Sequence, residues 1–348
     1  RFGHFLINTD LFLRNMNRKH IFIVFSSTKP VNKQLMRMYK RRLRIIQIPD
    51  LIYKIFFLGL INPRSIFGKS KFYQHLPFNN NEFYLLNNRK NGLKFDAAEQ
   101  KYGKLLLKKM GVNGWYICFH SRDSSYLFGK NNLKNWSYHD YRDCDVKNYL
   151  GAGEYIANKG GHALRFGSVV SKKLPKSLNS KIIDYASKFR TDFGDVYLPA
   201  NCKFFLSNTS GPYLAATMFD VPVAMANVVP LKYLPFRKGD LFIPKKIWSK
   251  RQKRFLTFDE IVNSDIIDYD TGELYSGSGL KLVENSYDEI RDLAQEMNER
   301  IDGVWKETLE DKRLQKKFWS LYGKSAHAQG CPARIGAKFL RENKHLLT

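Results

Sequence analysis

Short apolar runs that alternate with helical segments constrain the fold of this chain more than any other feature of its sequence. From Gly111 onward the runs hold four or five residues each, and segments with helical spacing of polar and apolar residues separate them. Strands of this kind are buried on both faces, and the helices that connect them cross over a parallel sheet. The pattern predicts an α/β fold with strands at 115–119, 162–166, 181–185, 203–206 and 222–226.

The first third of the chain carries a weaker version of the same pattern. Short apolar strands are predicted at 20–25 and 44–48, with a basic helix between them. Near the N-terminus a helix is predicted at 10–15, and another at 97–110. After the last predicted strand, the stretch 228–279 reads as irregular, and its proline-rich part is typical of an ordered lid. Three helices are predicted to close the chain, at 287–301, 309–322 and 332–345.

We therefore predict two facing Rossmann-like domains, each with a parallel sheet and crossover helices. The first domain would comprise 1–110 and the second 111–305, and the helices of 306–348 would pack back across both. The chain begins at Arg1 without Met, so we expect the first strand of the first domain to precede it.

Positive charge is concentrated in the first of these domains. The chain has a formal net charge of +26; residues 1–110 hold 22 Lys or Arg against 5 Asp or Glu, and the remainder holds 36 against 27. Such a surface attracts nucleic acid, acidic lipid headgroups or a substrate that carries pyrophosphate, and a solvated basic face is the alternative. The densest basic cluster comprises Arg37, Lys40, Arg41, Arg42 and Arg44.

Several classes of protein are excluded or disfavoured by what the sequence lacks. No run approaches the roughly 20 apolar residues that a membrane-spanning helix needs. The four cysteines lie far apart, without the spacing of a zinc site, and reduced thiols in a cytoplasm fit them best. The phosphate-binding motif of P-loop NTPases is absent, and so is the glycine fingerprint of dinucleotide-binding dehydrogenases.

The first candidate site follows the strand at 115–119, where His120, Ser121, Arg122 and Asp123 come in succession. Ligands of parallel α/β sheets bind where strands end and helices begin. An arginine at this position can bind a phosphate bidentately and offset the charge of a departing nucleotide. The alternative is that Arg122 and Asp123 pair with other residues and that His120 caps the strand.

The second candidate site is the hydroxyl-rich turn after the strand at 203–206. Its hydroxyls, its free backbone N–H groups and the N-terminus of the following helix would together hold a phosphate. The alternative is an N-cap, which serine and threonine form without any ligand. The candidate phosphate ligands are Ser207, Thr209, Ser210 and Gly211.

Two further positions are candidates with a weaker basis. His4 follows Gly3 near the N-terminus and could act as a general base, although a histidine in a loop without a catalytic role fits equally well. Arg165 ends the strand at 162–166 and could contact the base or sugar of a nucleotide. The spacing of Asp140, Asp143 and Asp145 suits a metal site, but a helix cap at Asp145 and a turn explain it better, so we predict no metal site.

In this order, these segments resemble a family of bacterial glycosyltransferases associated with surface-polysaccharide synthesis. The resemblance is strong across 111–262, thin across 20–95 and weak after 285. His120-x-Arg122 is, more distantly, similar to the His-x-Arg motif of the O-fucosyltransferase group, whose arginine contacts the donor diphosphate. The matching stretches lie at 1–4, 118–126, 141–145, 164–168, 203–211, 240–245 and 254–261.

The resemblance implies a GT-B-like fold and a metal-independent transferase that needs no cofactor besides its nucleotide-sugar substrate. The second domain would bind the donor, with the diphosphate on the turn 207–211 and Arg122 stabilising the leaving nucleotide. The basic first domain would bind an anionic, lipid-linked acceptor at the cytoplasmic face of the inner membrane, and His4 would serve as the base. No nucleic-acid partner is expected.

Two other functions stay open at the level of the sequence. A sugar-nucleotide epimerase or hydrolase on the same scaffold would turn over the donor without an acceptor. A nucleic-acid-binding protein without enzymatic activity would account for the positive charge, but it would not need the polar strand ends of the second domain.

Overall fold

The structure is a computed structural model that describes residues 2–17, 19–55, 81–123, 137–168, 170, 173–175, 179–328 and 330–348. Arg1 of the matching stretch 1–4, and residues 124–126 of the matching stretch 118–126, lie outside these ranges.

In its described residues, the first part of the chain forms a pair of parallel strands and five helices. β1 (Ile23–Ser27) and β2 (Arg44–Ile48) pair in parallel, and α2 (Lys33–Lys40) crosses over between them. The basic cluster lies on α2 and on the turn into β2, where its five side chains are exposed. The remaining helices are α1 (Phe2–Asn15), α3 (Asp50–Ile55), α4 (Glu82–Asn88) and α5 (Ala97–Lys109).

Helix α1 begins at Phe2, so the prediction of a helix limited to 10–15 was too short. Its apolar residues recur at helical spacing from the first turn, and Leu6, Ile7, Leu11 and Leu13 are buried. His4 therefore lies in the first turn of a helix rather than in a loop after a strand.

A seven-stranded parallel sheet forms the centre of the larger part of the molecule. Its order is β5-β4-β3-β6-β7-β8-β12, and every neighbouring pair is parallel. The strands are β3 (Tyr116–Phe119), β4 (His162–Arg165), β5 (Ile182–Ile183), β6 (Phe205–Ser207), β7 (Val223–Val228), β8 (Leu241–Pro244) and β12 (Arg334–Ile335). The prediction of an α/β fold with parallel sheets and crossover helices is confirmed.

The strand order places a reversal of direction between β3 and β6. From β3 the chain moves outward through β4 to β5 at one edge, and it then returns to β6 and moves through β7 and β8 to the other edge. Doubly wound sheets bind ligands at such a switch point, outside the carboxyl ends of the two central strands. Both predicted phosphate-binding segments follow these two strands.

The helices of the larger part connect these strands and cover the sheet. Those before β7 are α6 (Leu150–Asn158), preceded by a 3₁₀ turn at Val146–Tyr149, α7 (Tyr185–Lys188), α8 (Gly194–Asn201) and α9 (Leu214–Met218). The others are α10 (Phe258–Val262), α11 (Gly272–Gly277), α12 (Tyr287–Ile301), α13 (Leu309–Tyr322) and α14 (Ala337–Glu342). Within the described ranges, no helix is both long and apolar enough to cross a membrane.

Residues 228–279 are not irregular as predicted. They contain β8, which is fully buried in the sheet, and also β9 (Lys246–Ser249) and β10 (Arg254–Phe255). These two strands form a small antiparallel sheet with β11 (Leu280–Val283), which begins just after this stretch. The apolar run of β8 is short and ends at Pro244, and prolines flank it on the N-terminal side, which is why it reads as a loop. Near the C-terminus, β12 occupies part of the stretch predicted as the last helix.

Candidate functional site

The carboxyl ends of β3 and β6 meet through the side chain of Asn208. The backbone N–H of Arg122 donates to Asn208 Oδ1 at 3.2 Å, and Asn208 Nδ2 donates to the carbonyl oxygen of Arg142 at 2.8 Å. Asn208 is fully buried. The two candidate segments are therefore joined to each other and to the loop at 137–145, which makes them parts of one site.

Arg122 is held by the 137–145 loop. Its Nη1 pairs with the carboxylate of Asp143 and donates to the carbonyl oxygen of His139 at 3.1 Å. Its Nη2 is shielded from solvent and has no hydrogen-bond partner among the described residues. Burial, followed by the positive charge of Arg142, lowers the pKa of Arg122 to about 10, so the guanidinium stays charged at neutral pH. The alternative considered for Arg122, an ion pair with another residue, is therefore present at Nη1. Among the described residues it is absent at Nη2.

His120 is a neutral residue at neutral pH. Its Nδ1 lies 2.9 Å from the carbonyl oxygen of Phe166, and because a carbonyl only accepts, Nδ1 carries the hydrogen and Nε2 is the acceptor. Burial lowers the pKa of His120 to about 4. A neutral ring with an acceptor nitrogen suits a hydroxyl group better than a phosphate oxygen.

The turn after β6 does not cap a helix with its hydroxyls. Helix α9 begins at Leu214, and its N-cap makes no side-chain hydrogen bond. Ser207 Oγ and Ser210 Oγ lie 3.2 Å apart, and Thr209 Oγ1 accepts from the backbone N–H of Val229 at 3.2 Å. The N-cap alternative for these hydroxyls is therefore wrong. The backbone N–H groups of residues 209–211 donate to none of the described residues.

Helix α1 brings the N-terminal residues to this turn. A Cβ built on Gly3 would lie 2.9 Å from the Cα of Gly211, so the two backbones are in contact at this point. His4 is the next residue of the helix and is exposed. The structure thus places His4, from the first turn of α1, beside the turn that contains Ser210 and Gly211.

A cavity of about 480 Å³ opens on the other side of Arg122. Ser121, Asp123 and Arg165 line it, so three predicted site residues share one space that the 207–211 turn does not reach. Arg165 forms an ion pair with Asp184 at 3.4 Å. The other acidic groups on the lining are Asp140, Asp143, Asp145 and Glu284, and Lys245 is the second cation. Carboxylates outnumber cations here, which favours a neutral ligand group rich in hydroxyls.

Two residues that the sequence did not single out organise this cavity. The buried Lys245 donates from Nζ to the carbonyl oxygens of Tyr141 at 3.1 Å and Asp143 at 2.7 Å. Glu284 accepts from the backbone N–H of Asp145 at 3.0 Å. A lysine directly after a buried strand and an acidic residue directly after β11 were the available signals for these positions.

The predicted cap at Asp145 is confirmed, whereas the ion pair of Asp143 was not predicted. Asp145 accepts from the N–H of Lys147 and caps the turn before α6, and Asp143 pairs with Arg122. Within the described part of the chain, no group of three or more His, Cys, Asp or Glu side chains could hold a metal ion.

Comparison with known proteins yields a similarity to solved structures. No family model and no curated protein matches the chain. Among solved structures, the chain is similar to the glycosyl transferase family 9 protein of Veillonella parvula DSM 2008, with a TM-score of 0.45 and 12% sequence identity. The match covers 70% of this chain and 83% of that chain. A similarity of this size carries no conclusion about the reaction.

Proposed function

We propose that this protein is a glycosyltransferase that moves a sugar from a nucleotide-sugar donor to an acceptor without a metal ion. One observation carries the proposal: at the switch point of a doubly wound sheet, one strand end carries a guanidinium nitrogen of Arg122 and the other a turn of backbone N–H groups, and neither has a hydrogen-bond partner among the described residues. The resemblance of the same segments to bacterial glycosyltransferases supplies the reaction class.

The donor would lie across the carboxyl ends of β3 and β6. Three consecutive backbone N–H groups at 209–211 and the hydroxyl of Ser210 offer donors to phosphate oxygens. Arg122 would stabilise the negative charge that develops on the leaving diphosphate. The neutral, hydroxyl-rich part of the donor fits the acidic cavity beyond Ser121, where carboxylates accept from hydroxyl groups.

The acceptor would approach from the side of α1. His4 is exposed beside Gly211 and is our candidate for the base that removes the proton of the acceptor hydroxyl. An enzyme that retains the anomeric configuration would not need this base. The exposed basic cluster between α2 and β2 favours an anionic, lipid-linked acceptor and peripheral contact with the cytoplasmic membrane face in surface-polysaccharide synthesis.

A thermal-shift panel of UDP, GDP, ADP, CDP and TDP at fixed salt tests the donor site. A ligand that binds only the folded state raises the melting temperature in proportion to its occupancy. We expect one nucleotide to raise it, and we expect Arg122→Lys and Ser210→Ala to reduce the shift. Arg251→Lys, on an exposed turn far from these strand ends in sequence, is the matched control.

The reaction itself is tested by incubation of the matching nucleotide sugar with and without a lipid-linked acceptor. Release of nucleotide that depends on the acceptor supports a transferase. Turnover of the donor at the same rate without an acceptor would instead identify an epimerase or hydrolase. If no nucleotide binds to the folded wild-type protein, the proposal fails.

A further inference from the structure

A second arginine with an unpartnered nitrogen lies beside Arg122. Arg142 ends the 3₁₀ helix Ser137–Arg142, and its Nε is shielded from solvent without a hydrogen-bond partner among the described residues. Arg122 Nη2 is in the same condition, and its side chain is only 10% exposed. Buried guanidinium N–H groups are costly to leave without an acceptor. Two of them at neighbouring positions favour a ligand that supplies the acceptor.

The two guanidinium groups are close enough for their charges to repel. The positive charge of Arg142 contributes, after burial, to the lowered pKa of Arg122. Asp143 pairs with Arg122 and offsets one of the two charges. Asp140 also acts on Arg122, so the charges nearly balance, and the two nitrogens without partners among the described residues, not a net charge, favour a ligand with acceptor oxygens.

The backbone around both arginines is fixed, so their proximity is built into the fold. Asn208 accepts from the N–H of Arg122 and donates to the carbonyl oxygen of Arg142, and the N–H of Cys144 donates to the carbonyl oxygen of Arg122 at 3.0 Å. Arg142 also places its guanidinium over the ring of Tyr141, 5.6 Å from its centroid. These contacts hold the segment that carries Arg142 against the strand end that carries Arg122.

We propose that Arg142 is a second anion ligand and that, with Arg122, it binds the diphosphate group of the donor. The identification of the anion as the donor diphosphate rests on the proposed function; the two-arginine site itself does not. Because both nitrogens are shielded from solvent, the two side chains would turn toward the anion on a backbone that stays in place. Arginine suits this task because its planar fork binds two phosphate oxygens at once.

Calorimetric titration with inorganic pyrophosphate, without metal and at fixed salt, tests the site. We expect Arg142→Met to weaken binding about tenfold or more, the effect of losing a charge-assisted hydrogen bond. Arg142→Lys should recover part of the affinity, because it restores the charge but not the fork. Lys147→Met is the matched control: it removes an exposed positive charge from the same segment, and we expect less than about a twofold change.

The outcomes separate this inference from the proposed function. If nucleotide binding and sugar transfer depend on Arg122 while Arg142→Met binds pyrophosphate like the wild type, the inference is wrong and the function stands. If pyrophosphate binding needs both arginines but no nucleotide sugar is used, the function is wrong and the anion site stands. A thermal unfolding transition shows whether each variant is folded. If Arg142→Met does not fold, the titration is made with Arg142→Lys instead.

Discussion

At the scale of single residues, the site depends on groups whose charge state burial decides. Arg122 keeps its charge because its pKa falls only to about 10, whereas His120 loses its charge because burial lowers its pKa to about 4. Two neighbouring residues of one strand end therefore differ in what they can bind. The arginine suits an anion, and the histidine suits a hydroxyl donor.

The neutral state of His120 predicts a pH dependence of stability. Its folded pKa lies below the ordinary value of 6.5, so the unfolded chain binds more protons between about pH 6.5 and 4. Its contribution to stability is complete above that window and is lost as the pH falls through it. We expect the free energy of unfolding to fall between pH 7 and 5 by about 2 kcal/mol more in the wild type than in His120→Asn.

Urea unfolding at the two pH values measures this difference, and His345→Asn, at an exposed position, is the control. Asparagine can keep the donor to Phe166, so the comparison isolates the titration from the loss of a hydrogen bond. Equal losses in wild type and His120→Asn would contradict a buried neutral histidine.

The polar residues at the two strand ends could be predicted from the sequence. Asn208, which joins the two strand ends, could not. Arg122 and the hydroxyls around Ser210 are unusual for strand ends, and both lie at the switch point. Asn208 sits between hydroxyl residues in a turn, where asparagine is common for local reasons, so nothing in the sequence separates it from an ordinary turn residue. Its role depends on Arg142, which is far from it in sequence.

At the scale of elements, the contact between α1 and the turn after β6 is made by two glycines. A methyl group on Gly3 would meet the backbone of Gly211 at 2.9 Å. Neither backbone can move independently of its element, so the helix and the turn would have to separate.

We predict that Gly3→Ala destabilises the fold by about 1–3 kcal/mol. In a helix without this contact, alanine would stabilise the fold by about 1 kcal/mol relative to glycine. A loss of stability in Gly3→Ala would therefore come from the contact with Gly211. Urea unfolding measures it, together with the thermal shift by the nucleotide. Gly239→Ala, which meets open space, is the control. A stabilised Gly3→Ala protein would contradict the contact.

Elements in which apolar residues recur without interruption could be predicted from the sequence, and elements in which that pattern is interrupted could not. Helix α12 has an uninterrupted apolar face and a capping box at Ser286, and its predicted bounds agree with the structure. Strand β8 has only four residues, the last of them Pro244, and was missed. The order of the strands was also out of reach, because the adjacency of β3 and β6 depends on contacts that no local pattern contains.

At the scale of the whole molecule, a buried polar network joins three distant parts of the chain. Arg14 of α1 pairs with Asp10 at 2.9 Å and with Asp220 at 3.3 Å, and it donates to the carbonyl oxygen of Met218 at 3.1 Å. Asn91 donates to the same carbonyl at 2.8 Å and also contacts Asp10. The network fixes α1 against the end of α9.

We predict that Arg14→Met lowers the free energy of unfolding at pH 7 by about 3–5 kcal/mol, because it leaves the buried carboxylate of Asp10 without its cation. Burial already raises the pKa of Asp10 to about 6, and Arg14 opposes that rise. The double variant Asp10→Asn/Arg14→Met should recover part of the loss. Arg254→Met breaks an exposed pair with Glu260 and should change little. If the loss in the double variant equals the sum of the losses in the two single variants, Asp10 and Arg14 are not coupled and the prediction is wrong.

The strand order also sets when the site can form as the chain folds. On one side of β3, His120 forms a hydrogen bond with Phe166, which is 46 positions away in the sequence. On the other side, Arg122 forms one with Asn208, which is 86 positions away. The longer loop is the more costly to close in entropy, and non-local pairings slow folding. The half of the sheet from β3 to β5 can therefore assemble while the crevice is still open. The crevice of the proposed anion site would then close after this half of the sheet has formed.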